Sequence, residues 1–170
     1  MMIEMYVMGV ALDTRTGSPI VVLKDFDDRR ALPIWIGSAE ASAIIRKIEN
    51  IKVIRPMTHD LICTLIEQMG YYVEKIEIHD VSEETYFANI VLKNDDGDEK
   101  VIDSRPSDAI AIALRTEAPI FVSPSVVASG TVSANEEKDE QETEEFKKFI
   151  QDLKPSDFQK LLDDHGESKQ

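Results

Sequence analysis

Met2–Leu12 opens the chain with an apolar run rich in Val and Met, of a length suited to one strand. Gly17 and Pro19 break it within turn chemistry at Thr14–Pro19, and Ile20–Lys24 reads as a second strand. After the charged turn Asp25–Arg30, Ala31–Ile36 reads as a third strand, whose Pro33 suits an edge or a bulge. The period then changes. Ala41, Ile44, Ile45 and Ile48 recur at helical spacing behind Gly37-Ser38, with Ser38 a suitable N-cap and Glu40 in the first turn. Ile51–Ile54 is a connector or short strand. Thr58 caps a second helix from about His59 to Met69, with Leu61, Ile62, Leu65, Ile66 and Met69 as its expected buried face and Gly70 just past its end.

From Tyr71 to Val81 the alternation returns, with Ile76 and Ile78 set against Lys75, Glu77 and His79. Tyr86–Lys93 pairs with this strand, and Asn94–Asp98 is a hairpin turn leading to Lys100–Ser104. Ser107 then caps a third helix from about Asp108 to Glu117, apolar almost all round and so expected to be buried. Pro119–Val122 is a last short strand, and beyond Ser123 the pattern fades. The fold class predicted is α+β: one compact domain over residues 1–130, with a mainly antiparallel or mixed sheet and three helices. Residues 131–143 read as a disordered acidic linker, because Ser133–Thr143 carries Ala134 as its one apolar side chain. Residues 144–170 read as a short helical tail, with Phe146, Phe149, Ile150 and Leu153 on one stripe and Phe158, Leu161 and Leu162 on a second helix.

Charge sharpens the picture. The net charge is -14, and residues 133–170 hold 6 of the 19 basic and 12 of the 33 acidic side chains. Such a field works against loose binding to phosphate backbones, so a nucleic-acid role needs a local basic patch. The lone cysteine, Cys63, permits no intrachain disulfide and is expected as a small buried hydrophobe. The start of the chain lacks the basic flank of a signal peptide, and no apolar run approaches membrane-spanning length, so a cytoplasmic protein is expected. There is no Walker loop, GxGxxG, CxxC, GxSxG or HExxH.

What remains is a set of acids, arginines and one histidine at strand-to-helix junctions. His59 and Asp60 lie in a helix first turn behind Arg55-Pro56. Unpaired N–H groups there attract anions and favour a neutral imidazole, able to act as a base or a metal ligand; the alternative is that Asp60 completes the cap and His59 packs against a neighbour. Asp103 and Arg105 lie two apart on a strand and share a face, just before Asp108 in the next helix. Two carboxylates and a guanidinium at one junction can hold a divalent metal and a phosphate; they can equally be a structural ion pair with a first-turn acid. Glu40 adds a carboxylate that also suits a helix N-terminus. His79, on a wet strand face, and His165, in the tail, need no functional account. Trp35 is expected in the core or an interface. The recurrence of Arg-Pro at residues 55–56 and 105–106, echoed by Lys154-Pro155, is accounted for by shared capping chemistry.

Three segments together resemble the bifunctional-nuclease domain family. They are Leu32-Pro33-Ile34-Trp35-Ile36-Gly37 with Ala39-Glu40-Ala41; Arg55-Pro56-Met57-Thr58-His59-Asp60-Leu61; and Asp103-Ser104-Arg105-Pro106-Ser107-Asp108-Ala109-Ile110-Ala111 with Ala118-Pro119-Ile120-Phe121-Val122. The likeness runs from about Met2 to Val127, and the tail resembles an extension found in some bacterial members. Glu84, before Thr85-Tyr86-Phe87-Ala88, departs from a pattern that often has Gly and is expected to alter a turn. The resemblance implies an α+β fold, oligomers (a dimer is favoured), and nuclease activity on DNA and RNA as in plant members. With that resemblance, the residues inside these motifs lead us to expect a metal-dependent hydrolase, their individual roles being our own inference. In it His59, Asp60, Asp103 and Asp108 are catalytic; Asp60, Asp103, Asp108 and Glu40 hold Mg2+ or Mn2+; and Arg55 and Arg105 grip phosphate. The rival expectation is a non-catalytic oligomeric binding module for a small anion or a protein partner recruited by the tail.

Overall fold

A computed structural model describes residues 1–133. The acidic segment from residue 134 and the two tail helices read from the sequence lie outside the described residues. Eight strands form one sheet: β1 (Ile3–Leu12), β2 (Pro19–Asp25), β3 (Arg30–Trp35), β4 (Tyr71–Ser82), β5 (Thr85–Asn94), β6 (Glu99–Ser104), β7 (Ile120–Val122) and β8 (Val132–Ser133). Their order is β6-β5-β4-β7-β1-β2-β3-β8, and every pairing is antiparallel except β4 with β7. Among the described residues there are four helices: α1 (Ser38–Ile48), α2 (Thr58–Gln68), α3 (Pro106–Thr116) and α4 (Pro124–Gly130). The α+β class, the mainly antiparallel sheet and the three longer helices are as the hydrophobic periods predict. β8 pairs with β3 at Arg30 and Ala31, which leaves Pro33 paired on one side alone, where its missing N–H removes no ladder bond.

The core lies where α3 meets the sheet. Ala109 to Ala113 are buried, along with Ile76 and Ile78 of β4 and Ile90 and Leu92 of β5. Ala41 and Ala43 of α1 are buried in the same core, and α1 and α3 pack closely through these small side chains. Ala41 and Ala43 are thus covered inside the domain, whereas Ala39 is exposed. α2 differs from its expected packing. Ile66 is buried and Ile62 partly so, but Leu61, Leu65 and Met69 are 51%, 52% and 64% exposed, because the helix rests on the core by one flank. Trp35 is half exposed, its indole N–H donating to Asp13 at 3.2 Å, so it is not a core residue. Cys63 is half-buried against the core.

The helix N-caps sit one residue before the expected caps in α1 and α2 and two before in α3. Gly37, Met57 and Arg105 are the N-caps, so Ser38, Thr58 and Pro106 are the first helical residues. Proline is favoured at that first position because its missing N–H has no partner to lose. Glu40, Asp60 and Asp108 consequently occupy the same place in three helices, the third residue. There a carboxylate complements the unpaired N–H groups and the positive end of the helix dipole.

Candidate functional site

Two of these three third-position acids converge, and one does not. α1 and α3 pack side by side, which brings Glu40 and Asp108 to either side of Arg105. Arg105 donates from Nε to Asp108 Oδ2 at 2.9 Å and from Nη2 to Glu40 Oε1 at 2.7 Å. Glu40 reaches back across its own helix start, over Gly37, where a Cβ would collide with its carboxylate. Asp108 Oδ1 lies 2.9 Å from His59 Nε2, so α2 joins the same network. His59 is buried at 8% exposure, whereas the Arg105 side chain is 64% exposed.

The protonation pattern follows from the partners. Burial pushes the Asp108 carboxyl up, but the hydrogen bonds from Arg105 and His59 outweigh it and hold it below its ordinary value. An ionised carboxylate can only accept, so His59 Nε2 carries the proton that it donates, and in the neutral ring Nδ1 holds the lone pair. The Asp108 and Glu40 carboxylates raise the Arg105 guanidinium above its ordinary value. Among the described residues two of its five N–H groups are occupied, which leaves the rest of the fork to an anion.

These side chains line a cleft of about 730 Å³. Its ionisable residues are Glu40, Arg46, His59, Asp103, Arg105 and Asp108; its apolar wall includes Ile62, Leu65 and Ile66 of α2, Met69 at that helix's end, and Ile90 and Ile102 of β5 and β6. Asp103 is exposed on the cleft rim, with no hydrogen bond or ion pair to its carboxylate among the described residues.

Asp60 leaves the set. Its Oδ2 accepts from the Met57 N–H at 2.9 Å, and its Oδ1 accepts from Arg115 Nε at 2.7 Å. Burial raises its carboxyl, but these bonds prevail and lower it. Arg115, 8% exposed, also donates to the carbonyls of Ala111 and Ala43 and so ties α1, α2 and α3 together. Asp60 is therefore a capping and anchoring residue, and the expected ligand set of Asp60, Asp103, Asp108 and Glu40 does not assemble. Among the described residues no three His, Cys, Asp or Glu side chains form a group that could hold a metal ion. Arg55 is exposed on the α1–α2 connection and lines no part of the cleft. Arg115 and Arg46 were not singled out from the sequence. A basic residue in the last turn of the otherwise apolar α3 is the signal that points to Arg115.

The family model described as bifunctional nuclease domain matches residues 21–135, a span that includes every cleft residue. An uncharacterized protein of Mycobacterium tuberculosis is 36% identical over 163 residues, covering 91% of this chain and 97% of its own length. Bifunctional nuclease 2 of Oryza sativa subsp. japonica is 33% identical over 69% of this chain and 37% of its own length. Bifunctional nuclease 2 of Arabidopsis thaliana is 31% identical over 62% of this chain and 32% of its own length. The match to the mycobacterial protein extends along nearly the whole of both chains, whereas in the plant proteins it spans about a third of their length.

Proposed function

The chain belongs to the bifunctional nuclease domain family, and on that premise we propose that it is a phosphodiesterase acting on DNA or RNA at the His59–Asp108–Arg105 cleft. The observation that carries the reading is the shared carboxylate: Asp108 accepts from His59 and from Arg105 at once. It thereby orients the imidazole with Nε2–H toward Asp108, which leaves Nδ1 of the neutral ring as the base, next to an exposed guanidinium with further donors. In this reading a phosphate oxygen binds the open part of the Arg105 fork. His59 Nδ1 takes the proton of the attacking hydroxyl, water or a ribose 2′-OH, as its oxygen bonds to phosphorus; the bond from phosphorus to the leaving ribose oxygen breaks, and the imidazolium, stabilised meanwhile by Asp108, returns the proton to that oxygen. Glu40 holds Arg105 in place from the other side. The apolar wall of α2 offers a surface for a base displaced from its stack.

The expected protein-built metal cage does not fit these residues, and no step here depends on one. Mg2+ commonly binds through one or two carboxylates plus substrate phosphates, and Asp103 is the cleft carboxylate that would supply such a contact for Mg2+ or Mn2+. The rival reading, a non-catalytic binding module, draws on charge: the cleft carries three carboxylates against two guanidiniums. An end-labelled single-stranded DNA and an RNA of the same sequence, each with Mg2+, Mn2+ or chelator, separate the two. Cleavage by the parent, reduced by about 10²–10⁴ in His59→Gln, is the expected result. Binding without cleavage under every condition would favour the module.

A further inference from the structure

Beside the cleft lies a second cavity of about 470 Å³, on the far side of Arg46 and Met57, which line both. Its charge is the reverse of its neighbour's. Arg46, Lys47, Lys52 and Arg115 face one acid, Asp60, and Asp60 is already paired with Arg115. Among the described residues no carboxylate forms an ion pair with Arg46, Lys47 or Lys52. The α1–α2 connection that forms its outer wall is exposed from Lys47 to Thr58, with Ile54 fully exposed and Val53 at 37%. Three cations gathered in one concavity, with no ion pair to a carboxylate among the described residues, are unexpected on a chain of net charge -14. They stand next to a cleft whose own charges leave little net attraction for a polyanion.

We propose that this cavity is a phosphate-backbone subsite, taking the nucleotides of a single strand that flank the one held in the cleft, with Lys47 and Lys52 as its principal phosphate contacts. This rests on the nucleic-acid reading of the cleft and extends it from a bond to a polymer. Arg46 bridges the two sites, because it lines both. The chain's overall field opposes association, so affinity comes from releasing counterions at a local patch, and it grows with the number of phosphates engaged. Bulk Lys and Arg charge is not needed elsewhere on the surface for this to work.

The test uses the full chain and fluorescein-labelled single-stranded DNA of about 4 and about 12 nucleotides, with fluorescence anisotropy over a salt series. The parent binds the longer strand more tightly. In Lys47→Gln/Lys52→Gln that gain with length is lost, and the slope of log affinity against log salt falls by about 1.4, the value for two single-strand phosphates. Both side chains are exposed, and glutamine removes charge without adding repulsion, so circular dichroism of the variant should match the parent. Equal affinity and equal slope in parent and variant overturn the proposal. So does a parent affinity that does not increase with length, which assigns the cavity to a small phosphate ligand instead. The two readings fail separately. A parent that binds through these lysines but cleaves nothing keeps the subsite and removes the nuclease reading; a parent that cleaves while the variant binds equally well does the opposite.

Discussion

Asp108 shows how much of the site depends on one side chain. Its two oxygens serve different partners, and each partner needs the carboxylate ionised. Asp60 does the same for the Met57 N–H and Arg115. Both carboxyls are held below their ordinary value in the fold. The stability they contribute is therefore complete above the ordinary carboxylate range, and it is lost as pH falls through the lowered, folded-state values. Thermal melts of the parent should show a decline on acidification through that range, and Asp60→Asn should flatten it; an equally steep decline in the variant would mean that other carboxyls govern it. All three helix-start acids are legible in the sequence as first-turn residues. Which arginine each one meets is not, because that depends on how α1, α2 and α3 pack. Capping alone explains Asp60. For Asp108 the partners come from α2 and from the helix N-cap, and periodicity holds no information about them.

At the level of elements, the alternation and helical spacing gave β1 to β7 and α1 to α3 within a residue or two. The exceptions have physical causes. α4 is short and β8 is a two-residue pairing, so neither has room to express a period, although Ser123-Pro124 is itself an N-cap followed by a first-position proline. α2 shows helical spacing for all five of its apolar side chains, but spacing does not reveal which neighbours exist to cover them. Arg115 is the strut of the helical layer, since it reaches a carboxylate on α2 and carbonyls on α1 and α3. Arg115→Met should lower stability by about 2–3 kcal/mol in denaturant melts, since it leaves Asp60 and two carbonyls short of a donor. A loss below about 0.5 kcal/mol would show that water replaces it. The β4–β5 turn is the opposite case. Glu83 and Glu84 both adopt positive φ, 48° and 64°, in a two-residue hairpin loop that favours Asn-Gly. Glu83→Asn/Glu84→Gly should therefore raise stability by about 1 kcal/mol. An unchanged or lower denaturation midpoint would mean that the turn carries no strain.

For the whole molecule, charge is as informative as shape. The sheet and its helices bring together residues 40, 59, 105 and 108 from three separate stretches of sequence, and they set a cationic cavity next to a cleft of mixed sign. The sequence marked five of the six ionisable cleft residues, with Asp60, Asp103, Asp108 and Glu40 expected as metal ligands, His59 as the base and Arg105 as a phosphate grip; the fold divides the acids, sending Asp60 to Arg115 and keeping Asp108 and Glu40 with His59 and Arg105. Among the described residues no helix is long and apolar enough to cross a membrane. The central claim is that Asp108, through His59 and Arg105, organises a phosphodiesterase site. It is tested most directly by the initial rate at which purified Asp108→Asn cleaves a labelled single-stranded oligonucleotide, measured beside the parent under conditions where both are folded. An amide cannot hold the His59 tautomer and the Arg105 charge as a carboxylate does, so the rate should fall by about 10² or more while stability stays within about 1–2 kcal/mol. Cleavage at the parental rate by a folded Asp108→Asn protein would contradict the account.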